Sequence, residues 1–267
     1  KNMRKIIGKR VGACLLVFSM LFTGSGMTAM AKTTLKRGTD VETKTGSIVL
    51  DGNDIKADNV NGLTYKGFGM LSGNSTSDLL LDYKTQNPEK YAELMQYLFG
   101  GEYPIFTHVK LEMGNDRNNS TGPESATMRT KGESANVMRN PGWQIAADAK
   151  KINPKVKVSI LSWNTPTWVT TTEEKYYWYK QSILAAYEKY GFMVDYINPN
   201  VNEKWNLRTD VANTKSFASW IAAEDASTIP DAEALKLYHK IKLIVSDEAN
   251  VVSDSVTRKL KADADFM

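Results

Sequence analysis

The chain has 267 residues, 42% of them hydrophobic and 24% charged, the balance of an ordinary globular protein with a buried core. Five of its 34 basic residues and none of its 30 acidic ones fall in residues 1–31, so 29 bases face 30 acids in the remainder; the formal charge of +4 belongs to the amino end and argues against a nucleic-acid-binding surface built on overall basicity. Cys14, the only cysteine, lies in the same stretch, and His108 and His239 are the only histidines, which argues against disulfides, a cysteine-ligated metal and a histidine-based triad, so no metal or cofactor is expected.

In chain order, Arg4, Lys5, Lys9 and Arg10 precede an apolar run from Val11 to Phe22, and Ala29-Met30-Ala31 supplies small residues before Lys32. That arrangement predicts a secretory signal peptide over residues 1–31, cleaved after Ala31, and hence an exported protein. The apolar run is shorter than the roughly 20 residues of a membrane span, and Gly24-Ser25-Gly26 follows it, so no stable membrane anchor is expected. Residues 32–60, rich in Lys, Thr, Gly, Asp and Asn, read as a flexible segment with one peripheral strand at Ser47-Ile48-Val49-Leu50.

From Tyr65 short apolar strands alternate with longer amphipathic stretches. Strands are predicted at 65–71, 105–113, 156–162, 194–197 and 243–246, and helices at 88–99, 141–151, 173–190, 215–224 and 231–240. Helix 173–190 carries Tyr176, Tyr179, Ile183, Ala186 and Tyr187 at steps of three or four, with Gly191 where a stop belongs. Pro88 opens another in the position proline favours. Strands separated by helices indicate βαβ units and a parallel sheet. Two architectures use that pattern: an incomplete TIM (β/α)8 barrel, of which residues 61–267 would form about the first five to six units, and an open doubly wound sheet. Against the second, Gly67, Gly69 and Gly73 lack the spacing of a phosphate-binding fingerprint.

The chemistry-bearing groups gather after the strands. Val194-Asp195-Tyr196-Ile197 runs through Asn198-Pro199-Asn200-Val201 into Asn202-Glu203, and the carboxyl ends of barrel strands are where active sites of that fold lie. A carboxylic acid at Glu203 protonates a glycosidic oxygen if burial or a second carboxylate raises its pKa, and the Asn202 amide beside it suits a sugar hydroxyl; the competing reading is a solvated Asn-Glu-Lys turn. Trp163, in Ser162-Trp163-Asn164-Thr165-Pro166-Thr167-Trp168, offers an apolar ring to a sugar face; it and Trp168 are otherwise core aromatics. After strand 105–113, Asp116, Arg117, Asn118, Asn119, Ser120 and Thr121 form a polar loop able to supply specificity hydroxyls. Lys110 and Glu112 alternate with Val109 and Leu111 and point either into the barrel mouth or to a structural ion pair.

Together these blocks resemble the catalytic barrel of glycoside hydrolase family 59, the galactosylceramidase family, over roughly residues 62–250. The similarity rests on Gly67-Phe68-Gly69 with Ser72-Gly73, Tyr97-Leu98-Phe99, Lys110-Leu111-Glu112-Met113-Gly114-Asn115-Asp116, Trp163 with Pro166 and Trp168, Asp195-Tyr196-Ile197, Asn202-Glu203 and Ile244-Val245-Ser246-Asp247. The resemblance implies a retaining β-galactosidase acting on galactolipids or related β-galactosides. It makes Glu203 the acid/base, Asn202 and Trp163 sugar contacts, and Ser120, or in its place Thr121, the hydroxyl that binds galactose. The family pattern has a Trp before the Asn-Glu pair, where this chain has Val201 beside an apparent one-residue insertion. The family's nucleophile ends the seventh strand, whereas the similarity ends in the sixth unit, so the chain is expected to lack that residue and to be inactive alone. A non-catalytic carbohydrate-binding protein, or a retaining hydrolase of another β-glycoside or galactan, uses the same groups; nothing in the residues sets the oligomeric state.

Overall fold

Local sequence signals fix most of the helix boundaries. A computed structural model describes residues 66–117, 122–201, 207–245, 247 and 262; the leader, the segment at 32–60, Asn202, Glu203, Ser120 and Thr121 lie outside them. After strand β1 (Phe68–Ser72) come helices α1 (Asp78–Gln86) and α2 (Pro88–Phe99), the latter with proline at its first turn and Gly100 closing it. Strand β2 (Phe106–Glu112) leads through a long loop to α3 (Pro141–Ile152), whose N-cap Asn140 accepts the Gly142 amide. Strand β3 (Lys157–Ser162) precedes α4 (Thr172–Tyr190), capped by Thr171 and ended by Gly191 in the left-handed conformation, φ 74°. Strand β4 (Tyr196–Val201), helices α5 (Leu207–Ala223) and α6 (Ala232–Tyr238) and the short β5 (Lys242–Leu243) complete the series.

The five strands are all parallel and lie in chain order, each hydrogen-bonded to its predecessor. A doubly wound sheet reverses its strand order at a switch point; among the described residues there is no reversal, and they form four consecutive βα units and a fifth strand of a (β/α)8 barrel. Alternation along each strand divides its side chains. Val109, Leu111, Val158, Ile160 and Ile197 are buried in one apolar cluster with Trp143, Trp178, Tyr179, Ile183 and Phe217. The opposite face is polar: His108 Nε2 lies 2.8 Å from Ser159 Oγ, and Lys110 Nζ is 2.6 Å from the Asp247 carboxylate.

Several elements differ from expectation, among them β5, which covers Lys242–Leu243 where 243–246 was expected. Helix α1 has no fully buried residue, so it presents no apolar stripe in the sequence. Helix α5 starts at Leu207, eight residues before the predicted 215. Strand β4 continues to Val201 instead of ending at Ile197, because it is bulged: Ile160 pairs with Ile197 and Ser162 with Val201, so β4 spends four steps where β3 spends two. Pro199 has no N–H to give a ladder, and Asn198 Oδ1 takes the Asn200 amide at 2.9 Å, which suits Asn198-Pro199-Asn200 to the bulge.

Candidate active site

The carboxyl ends of β1, β2 and β3 meet at Gly73. A Cβ on this residue would stand 3.0 Å from Trp163 Cζ3 and 3.1 Å from both Cβ and Oε2 of Glu112, so any side chain here would push the Trp163 ring or the Glu112 side chain back by a few tenths of an ångström. Glu112, the last residue of β2, is 2% exposed, and its Oε2 accepts the Asn74 N–H at 2.7 Å. Burial raises its pKa, while the Asn74 amide favours the charged form. Glu124, wholly buried in the loop after β2, accepts the Ser75 N–H at 2.7 Å. Burial pushes its carboxyl up to about 7, the Ser75 amide opposing and the charge of Glu112 adding to the rise. Asn74 and Ser75 both hold left-handed backbone, φ 52° and 58°.

The loop after β2 is tied down by its own backbone. Gly114, φ 66°, passes so near Ser125 that an added Cβ would lie 2.5 Å from its carbonyl oxygen. The Asn115 and Asp116 amides both donate to Glu124 O, at 3.1 and 3.0 Å. Asn140 Nδ2 donates to Glu112 O and Ser125 O, each at 3.0 Å, while its Oδ1 caps α3, so one asparagine fixes helix and loop together. Asp116 binds Arg129 through Nε at 3.0 Å and Nη2 at 2.9 Å. These two residues, with Asn115, Pro166 and Thr167, line a cavity of about 360 Å³ between the β2 and β3 loops.

Of the sequence-derived site residues, Trp163 is described: it stands half-buried beyond β3 with its ring edge against Gly73. Trp168 takes its packing role, donating from Nε1 to Met128 O at 3.1 Å with its ring edge-on to Tyr177. Of the two β2 residues with an open direction, Lys110 enters the ion pair with Asp247 and Glu112 faces the mouth. Strand β4 ends at Val201, immediately before Asn202 in the sequence. Its end is braced by Asn200, whose Nδ2 reaches Thr214 Oγ1 and Val245 O, each at 3.3 Å. Asn200 O accepts from the buried Lys175 Nζ at 2.8 Å, and burial lowers the pKa of this amine to about 7, with Asp210 acting in the opposite sense.

Glu124 and Lys175 escaped the sequence reading. Glu124 sits in the turn-rich Gly122-Pro123-Glu124-Ser125, without periodicity to show which way it points. Lys175 lies beside the apolar stripe of α4, but a lysine next to a tyrosine-rich face reads as solvent-facing. What the mouth offers chemically is an aromatic ring edge, flanked by buried carboxyl groups whose charge is disfavoured, on the functional face of a barrel.

A model of the family described as glycosyl hydrolase family 59 matches residues 65–267. The chain is similar to galactocerebrosidase of Danio rerio, 31% identical over 147 residues that make up 51% of this chain and 22% of that protein. It is similar also to galactocerebrosidase of Mus musculus, 30% identical over 179 residues, 63% and 24% of the two chains. The chain thus spans about a quarter of the length of these curated relatives. The crystal structure of SrfJ from Salmonella typhimurium shares the fold, with a TM-score of 0.52 at 14% identity over 74% of this chain and 47% of that one.

Proposed function

Because the chain belongs to glycosyl hydrolase family 59, we propose that the protein it represents is an exported retaining hydrolase of terminal β-galactosides, galactolipids among them. The observation that carries the proposal is the family match across the whole barrel portion, 65–267; the meeting of Gly73, Glu112 and Trp163 at the mouth supports it. In this reading Trp163 presents its ring to the sugar and Asn202 bonds the hydroxyl next to the reacting carbon. Ser120, or in its place Thr121, selects galactose. Glu203 gives its proton to the glycosidic oxygen as the bond to the aglycone breaks. A second carboxylate, from a strand further along the polypeptide than the described residues, attacks the anomeric carbon from about 5–5.5 Å away from the first. Glu203, now a carboxylate, then takes a proton from the water that releases galactose with its configuration retained.

The test uses the full-length protein and an aryl β-galactoside. Glu203→Gln is expected to lower kcat about a thousandfold, and proton NMR of the first-formed sugar is expected to show the β anomer. First-formed α-galactose, or a Glu203→Gln variant with unchanged turnover, would overturn the mechanism. Export is checked separately: the amino-terminal sequence of the secreted protein should begin at Lys32.

A further inference from the structure

We infer that Glu112 and Glu124 form a positioning pair that locks the backbone of residues 73–75 and so sets the attitude in which the Trp163 indole meets the sugar. The inference deepens the proposed function, since it rests on Trp163 as a sugar contact. Two consecutive residues with side chains, Asn74 and Ser75, stand in left-handed conformation, which side-chain-bearing residues adopt only when the surroundings hold them there. What holds them is two buried carboxylates, each accepting one of the two successive amides at 2.7 Å. A carboxyl oxygen accepts a backbone N–H whether or not the group is ionised, and the loop so fixed is the one whose Gly73 has its Cα face against Trp163.

Packing alone does not account for Glu124. Its Oε1 is buried and has no hydrogen-bond partner among the described residues, so the residue bears the cost of an unsatisfied acceptor. Its backbone oxygen meanwhile takes the amides of Asn115 and Asp116, and Asn115 Nδ2 points on to Thr165 O at 3.4 Å, in the loop that follows Trp163. Glu124 therefore ties the loop after β1 to the loop after β2, and Asn115, held by its backbone oxygen, carries the link on to the loop after β3. It touches the sugar-binding ring only through them, which makes it a positioning residue and not a catalytic one.

The experiment compares Glu124→Ala and Glu124→Gln in the full-length protein, each alone and combined with Trp163→Ala. Glu124→Ala is expected to raise KM for an aryl β-galactoside about tenfold with kcat nearly unchanged, the effect of one lost hydrogen bond to a buried acceptor. Glu124→Gln, which keeps an acceptor oxygen, is expected to stay within about threefold of the parent, and in the Trp163→Ala background Glu124→Ala is expected to change KM less than about twofold. An unchanged KM in Glu124→Ala, no rescue by glutamine, or the full effect without Trp163 overturns the inference. If Glu124→Ala does not fold, Gly73→Ala displaces the same loop from the tryptophan side and is held to the same cycle. Amide exchange at Ser75 and the Trp163 fluorescence, taken as the difference from Trp163→Phe, need no turnover. If the full-length protein proves inactive on galactosides the functional reading fails, and the pair then stands or falls on whether Glu124→Ala accelerates that exchange and shifts that emission.

Discussion

The two ends of the barrel treat their carboxylates in opposite ways. At the amino end, Asp195 is met by Lys157 Nζ at 2.6 Å and Lys150 Nζ at 3.5 Å and accepts the Val158 amide at 3.0 Å. At the mouth, Glu112 and Glu124 accept amides of a strained loop, and burial drives both pKa values upward. The first arrangement surrounds a carboxylate with two cations and a backbone amide. The second holds charges where folding alone would rather have neutral groups, and such sites are found where a protein does chemistry.

The sharpest way to break this contrast is to remove the carboxylate at the amino end. Asp195→Ala strands Lys150 and the Val158 amide, and we expect a loss of about 3–4 kcal/mol in chemical denaturation with KM unaffected. At the mouth the contrast is read by pH. Glu124 has a folded pKa of about 7, above its ordinary 4.5, so the stability it allows is complete below about 4.5 and is lost as pH rises through 7, roughly 3 kcal/mol in all. Lys175 runs the other way: with a folded pKa of about 7, below its ordinary 10.5, its contribution is present above that value and lost as pH falls through 7. Between them they place a stability minimum near neutrality, and a series of melting temperatures from pH 4 to 10 should lose its acid limb in Glu124→Gln and its alkaline limb in Lys175→Met.

Smaller effects sharpen the same comparison. Trp168→Phe removes the bond to Met128 O and should cost about 1 kcal/mol of stability while leaving galactoside KM unchanged, since its role is packing. Arg129→Ala breaks an ion pair of good geometry whose arginine side chain is 56% exposed. Calorimetry should find little change, against the larger cost of removing the carboxylate at Asp195.

Much of the fold was legible because its signals are local. Pro88, Pro141, Thr171 and Gly191 mark helix ends by backbone chemistry that needs no tertiary context. Helix α1 was not legible, since burial leaves no stripe on it. Strand β4 read short because proline and asparagine are poor strand formers, and only pairing with β3 shows that they form a bulge. In the site, alternation in β2 separated Glu112 from Val109 and Leu111 and left open whether it faced the barrel mouth or an ion pair. Its Asn74 partner lies 38 residues away, beyond any spacing rule. Glu124 was invisible for the same reason in stronger form, being an irregular-loop residue whose function is defined by a contact 49 residues distant.

The strict chain order of the strands has a consequence for biosynthesis. Each described strand after the first finds its hydrogen-bonding neighbour in the βα unit immediately before it, so none of these strands has to wait for a distant strand before it can dock. Contacts between adjacent units keep loop-closure costs low, and the sheet can widen one unit at a time as the polypeptide leaves the ribosome, with Glu124 arriving to clasp the first loop before β3 has been translated.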